Sequence, residues 1–127
     1  MVKKRIVMLY LLLTALYLAH VCEEAIGRFL MVGILGGVPQ FLMVNAIFLT
    51  VIIIIFFYML RDRRVGYVAA LVYTVLIIIN GAGHIIGWLV TGRYHGGFAG
   101  VYTGTGYLII GPWLLYYLRK VIPKHEA

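Results

Sequence analysis

His20, Glu23 and Glu24 stand at positions i, i+3 and i+4 inside a stretch, Ile6 to Leu35, that is otherwise oily and long enough to cross a bilayer. Imidazole and carboxylate are the side chains that move protons near neutral pH or ligate a borderline divalent cation. Two of the chain's four carboxylates lie here, and each ionised group at bilayer depth costs about 2.5 to 3.5 kcal/mol on insertion scales. They therefore call for a partner, a proton or a metal, and the cluster reads as the functional site. Helical spacing puts the three on one face. Asn80 and His84, four apart, share a face further along the chain.

Two imidazoles with carboxylates fit a divalent metal, zinc first and iron or manganese next, held by three protein ligands with a fourth position open. The expected ligands are His20, Glu24 and His84. Glu23 would serve as general base or supporting carboxylate, and Asn80 would orient a ligand or bind a substrate oxygen. Tyr102 and Thr103 would enter the same layer from the last helix. Such a centre could hydrolyse an ester, amide or phosphoester of a lipid entering sideways from the bilayer. Without a metal, the same residues could shuttle a proton on an apolar substrate, as in double-bond isomerisation. Di-iron bundles need about six ligands with Glu-x-x-His pairs, and this chain has too few in the reverse order. Two other classes remain open: proton-coupled transport or ligand binding, and a structural network of buried polar groups in which Glu24 also pairs with Arg28 at i+4.

The elements that must position these groups follow from composition. With 64% hydrophobic and 12% charged residues and a mean hydropathy of +1.02, the chain lies outside the range of soluble domains. It reads as an all-α, four-transmembrane-helix bundle, one domain over 1–127 with helices at about 6–35, 40–60, 65–91 and 97–119. The charge of +7 is topological: nine of the eleven Lys and Arg fall at one end, in Lys3 to Arg5, Arg61 to Arg64 and Arg119 to Lys124, and only Arg28 and Arg93 at the other. By the positive-inside rule both termini face the cytoplasm of a multi-pass protein in the cell membrane, and nucleic acid is not a partner. That asymmetry argues against dual-topology multidrug exporters, which need balanced charge. The implied partners are membrane lipids and a lipid-soluble substrate, with a homo-oligomer compatible with so short a bundle. Counting about 1.5 Å per residue from the basic end, His20 and Glu24 rise to about 21 and 27 Å and Asn80 and His84 to about 22 and 28 Å, so the two clusters share a level.

The pattern His20-x-x-Glu23-Glu24, then Asn80-x-x-x-His84, then Gly100-x-x-Thr103 resembles the HXXEE family of small multi-span membrane proteins, over nearly the whole chain. The family's third motif carries a proline before the glycine, where this chain has Ala99. The resemblance implies the site and brings no assigned reaction with it.

Other features have plainer readings. Cys22, the only cysteine, reads as a packing residue. Gly96, Gly100 and Gly104 form a small-residue stripe for close helix approach, Pro112 should kink the last helix, His125 falls in the cytoplasmic tail, and His95 on the outer loop is either solvated or placed to gate or ligate. Asn45 either faces the pocket or bonds locally. Arg28 would pair with Glu24 and reach the interface, or hold an anionic headgroup.

Overall fold

Buried residues recur at three- and four-residue steps along three segments, the spacing that presents one stripe of a helix to its neighbours. Ile6, Tyr10, Leu13, Tyr17, His20 and Glu24 form the stripe of α1 (Val2–Ile26), and Tyr67, Ala70, Thr74, Ile77, Gly81 and His84 that of α4 (Arg64–Thr91). Val101, Gly104, Tyr107, Gly111, Leu114, Leu118 and Val121 form that of α5 (Val101–Val121). The site residues His20, Glu24 and His84 thus occupy core positions. In the computed structural model, which describes residues 1–122, these helices are joined by a short α2 (Leu30–Ile34), by α3 (Val38–Leu60) and by a kinked turn at Tyr94–Phe98. The described chain is all helical. Lys124 and His125 lie outside the described residues.

The most extensive packing joins α4 to α5; α1 leans on α5, and α3 on α4 and α1. The α4–α5 approach depends on glycine at the crossing, since a methyl group on Gly81 would stand 2.6 Å from the Gly104 carbonyl oxygen. Gly104 therefore behaves as the small-residue stripe suggests, whereas Gly96 sits in the turn at φ +69° with open space around it. Pro112 lies within α5 without ending it, and Pro39 opens α3 where a missing N–H is harmless.

Three helices, α1, α3 and α4, are long and apolar enough to cross a membrane. Their outward faces are apolar too: Met43, Ile47, Phe48 and Phe57 of α3 and Ile79, Ile86, Leu89 and Val90 of α4 are more than half exposed. Water would penalise such a surface and lipid would not. At one end of the molecule Lys3 pairs with Asp62 and the Arg5 guanidinium donates 2.9 Å to the Tyr117 hydroxyl, so the three basic clusters come together as their sequence spacing suggests.

The expected first helix over 6–35 is not continuous. It ends at Ile26, where Gly27 and Arg28 turn the chain: Arg28 takes φ +53° and the Phe29 N–H donates 2.8 Å to the Glu24 carbonyl, the six-to-one bond of a Schellman ending. Arg28 consequently leaves the helix and is exposed. The i+4 pairing of Glu24 with Arg28 presupposed a helix that is not there, and Glu24 has other partners. Cys22 is likewise exposed rather than packed.

Candidate metal centre

Glu24 projects from α1 toward α4. Its Oε1 lies 3.2 Å from His20 Nε2, one turn earlier on α1, and 3.0 Å from His84 Nε2 on α4. All three side chains are buried, at 5%, 2% and 2% exposure. The ligand atoms lie within 4.8 Å of one another, a grouping that could hold a metal ion.

The opposite ring nitrogens decide what these atoms are. His84 Nδ1 faces the Phe98 carbonyl at 3.4 Å, and a carbonyl only accepts, so this contact favours the tautomer with its proton on Nδ1. His20 Nδ1 lies 2.5 Å from Thr103 Oγ1, while the Thr103 hydroxyl donates its proton to Glu23 Oε2 at 2.5 Å. His20 Nδ1 must then be the donor to that hydroxyl. With the proton on Nδ1, each Nε2 presents a lone pair to a carboxylate oxygen that also carries lone pairs; with the proton on Nε2, the same contacts are ion pairs. Among the described residues neither Nε2 makes a hydrogen bond. In the Nδ1–H form three lone-pair-bearing atoms converge in a buried site, an arrangement that a cation would complete in place of a proton.

Glu23 does not join this group. Its carboxylate receives the Tyr94 hydroxyl at 2.7 Å, the Tyr102 N–H at 3.1 Å, the Thr103 N–H at 3.0 Å and the Thr103 hydroxyl. It caps the first turn of α5 from outside the helix, an anion where backbone N–H groups are unpaired and the dipole is positive. Burial and the neighbouring Glu23 charge push the Tyr94 phenol up to about 12, so Tyr94 keeps its proton and its bond to Glu23 through the physiological range. Through Thr103, Glu23 is linked to His20, a carboxylate–hydroxyl–imidazole chain that fixes the ring and its tautomer.

Each remaining expected site residue has a definite place. Thr103 is the link just described. Tyr102 contributes its backbone N–H only; its side chain is 78% exposed and rests against the Tyr94 ring. Asn80, one turn below His84, stays outside the ligand group and lines an adjoining cavity, as does Asn45, which accepts the Tyr17 hydroxyl at 2.7 Å. His95 is exposed on the turn, its ring against Tyr94.

Several contributors were not visible as site residues from sequence. The Phe29 ring covers His84 at a centroid distance of 4.4 Å, which the early ending of α1 allows. Phe98 contributes a carbonyl, and carbonyls leave no mark on sequence. Gly100 stands at φ +119°, and a methyl group there would lie 2.7 Å from both imidazoles; position 100 thus admits only glycine on two grounds. The cavity, of about 660 Å³, runs from His20 and Glu24 between α1, α3 and α4, with a lining that is almost wholly apolar.

The chain matches no family model, no curated protein and no solved structure. Its chemistry is therefore read from its own residues.

Proposed function

We propose that this protein is a small four-span enzyme of the cell membrane, with both termini cytoplasmic, whose His20–Glu24–His84 centre binds a divalent metal, zinc in first place, and acts on a lipid-soluble substrate held in the adjoining cavity. One observation carries the reading: two buried imidazoles on separate helices turn their Nε2 atoms to one carboxylate oxygen, while their Nδ1 atoms face Thr103 and the Phe98 carbonyl. Tetrahedral zinc with ligands at about 2.0 to 2.2 Å holds neighbouring donor atoms roughly 3.3 to 3.5 Å apart; the two His–Glu24 separations of 3.0 and 3.2 Å lie just inside that spacing, and the group of three spans up to 4.8 Å, so the imidazoles would draw together on the ion. Zinc suits two neutral imidazoles and one carboxylate, and iron or manganese would suit the same set less closely.

When bound, the ion would supply Lewis acidity and an activated water for hydrolysis. The protein's own part is to orient and to exclude. Thr103 and the Phe98 carbonyl fix the two imidazoles, Phe29 and Gly100 close the space around them, and the cavity keeps bulk water from the reacting group. Asn80 is placed to donate to a polar group of a substrate lying in the cavity. The fourth span is α5, whose 21 residues reach about 31 Å despite its glycines, threonines and basic last turn. The cytoplasmic orientation draws on the basic clusters gathered at one end.

Membership of the HXXEE family is part of the same proposal. It is supported by His20, Glu24 and His84 meeting in one group, with Gly100 against both imidazoles and Glu23 linked to His20 through Thr103. Ala99, which replaces the proline of the third motif, adopts φ −54°, a value that a proline ring would also impose.

Elemental analysis of the purified protein tests the proposal. One equivalent of metal in wild type, lost in His20→Ala, Glu24→Ala and His84→Ala, is the expected result. A metal-free wild type that binds a proton between Glu24 and the imidazoles would overturn the metal centre in favour of acid/base or proton-coupled chemistry.

A further inference from the structure

Four tyrosine side chains meet in the core below the His/Glu centre, and they divide into two kinds. Tyr10 donates 2.8 Å to the Ile52 carbonyl and Tyr17 donates 2.7 Å to Asn45 Oδ1, so these two seat α3 against α1. The hydroxyls of Tyr73 and Tyr107 are also buried, yet among the described residues neither has a hydrogen-bond partner. Tyr107 is completely enclosed, at 0% exposure, with its ring 4.8 Å from that of His20. Both line the cavity.

A buried hydroxyl without a partner is disfavoured, and phenylalanine would fill either position without that cost. The pair therefore points to a ligand oxygen that completes it. The shape of the cavity narrows the ligand. From Asn80 to Ala69 it follows α4 for eleven residues, roughly 16 Å, and it opens between α3 and α4, where Phe48, Val51, Val72 and Leu76 line it and are about half exposed. Apart from the tyrosine hydroxyls and two asparagines, its upper end offers polar atoms only at His20 and Glu24. A hydrocarbon chain fits the body of such a space, and a single neutral acceptor fits its top.

We propose that Tyr73 and Tyr107 form an oxygen-binding subsite whose two hydroxyls donate to the carbonyl of a neutral single-chain lipid ester or amide, holding it beside the His20–Glu24 pair. The proposal rests on the enzymatic reading above for what happens to that carbonyl, and on the cavity alone for its binding. A carbonyl has two lone pairs, so it can accept both hydroxyls at once. The alkyl chain enters from the bilayer between α3 and α4 and lies along the apolar floor.

The test uses the full-length protein in detergent micelles and methyl dodecanoate carrying ¹³C at its carbonyl, with dodecane as the control. In wild type the ester should bind saturably, with its carbonyl stretch at lower frequency than in an apolar solvent. Tyr73→Phe and Tyr107→Phe should each weaken ester binding about three- to tenfold, return part of the frequency shift, leave dodecane binding unchanged and melt no earlier than wild type. Ester binding that ignores both substitutions, an unshifted carbonyl band in wild type, or no saturable binding would each overturn the subsite; the infrared band decides even if a variant fails to fold. Repeating the titration after chelator treatment separates the two proposals. A subsite independent of the metal keeps its tyrosine dependence there, and a failed subsite leaves metal stoichiometry untouched.

Discussion

At the scale of single residues, a site with three candidate ligands is organised by groups that are not ligands. Thr103 illustrates this: one hydroxyl passes the charge of Glu23 to His20 and sets which ring nitrogen carries the proton. Thr103→Val keeps the shape and removes the relay, so metal affinity should fall about 10- to 100-fold, measured by competition with a chromophoric chelator. Thr103→Ser should restore most of it. An unchanged affinity in the valine variant would mean that the tautomer is fixed by other means. The His/Glu cluster itself was legible in the sequence because burying it within an apolar helix has so few physical justifications. Glu23 was harder to read, because adjacent carboxylates on a helix differ by 100° in direction, and that angle sends Glu24 to the imidazoles and Glu23 to the end of α5.

At the scale of elements, the N-terminus of α5 is where the site is assembled. Gly100 begins the helix in a left-handed conformation against both imidazoles, and Glu23 accepts the N–H groups of Tyr102 and Thr103 in its first turn. Gly100→Ala should therefore abolish metal retention, because the added carbon must displace a ring and the backbone is strained as well. Glu23→Gln should lower stability by about 1 kcal/mol through weaker capping, seen as an earlier thermal transition by circular dichroism. It should weaken metal binding less than loss of a ligand does. The long helices were readable from hydropathy, and the agreement in depth between Glu24 and His84 followed from their rise of about 1.5 Å per residue. The break after Ile26 was not. Gly27-Arg28 gives a weak stop signal inside an apolar run, and it is the contact of Phe29 with His84, between residues 55 apart, that makes ending the helix there worthwhile.

At the scale of the whole molecule, polarity between the two ends is inverted relative to a soluble protein: the outer faces of α3 and α4 are apolar, and His20, Glu24, Thr74 and His84 lie inside. Lipid is then the natural surround, and the proposed orientation has a direct check. In a Cys22→Ser background, Arg93→Cys should react with a membrane-impermeant maleimide on intact cells, and Lys3→Cys only after permeabilisation. The reverse pattern would invert the topology and place the metal centre in the cytoplasmic half. Because the proposed ion bridges α1 to α4, it should also stabilise the bundle, by about 2.7 kcal/mol when present at 100 times its dissociation constant. Chelation should lower the melting temperature accordingly, and zinc should restore it.

The metal centre is tested most directly by X-ray absorption at the zinc edge of the full-length protein loaded with one equivalent of zinc. Two imidazole nitrogens at about 2.0 to 2.1 Å and carboxylate oxygen at about 2.0 to 2.2 Å, with one imidazole lost in either His20→Ala or His84→Ala, are the predicted spectrum. Zinc that washes away, or a shell of water oxygens that the histidine substitutions leave unchanged, would contradict it.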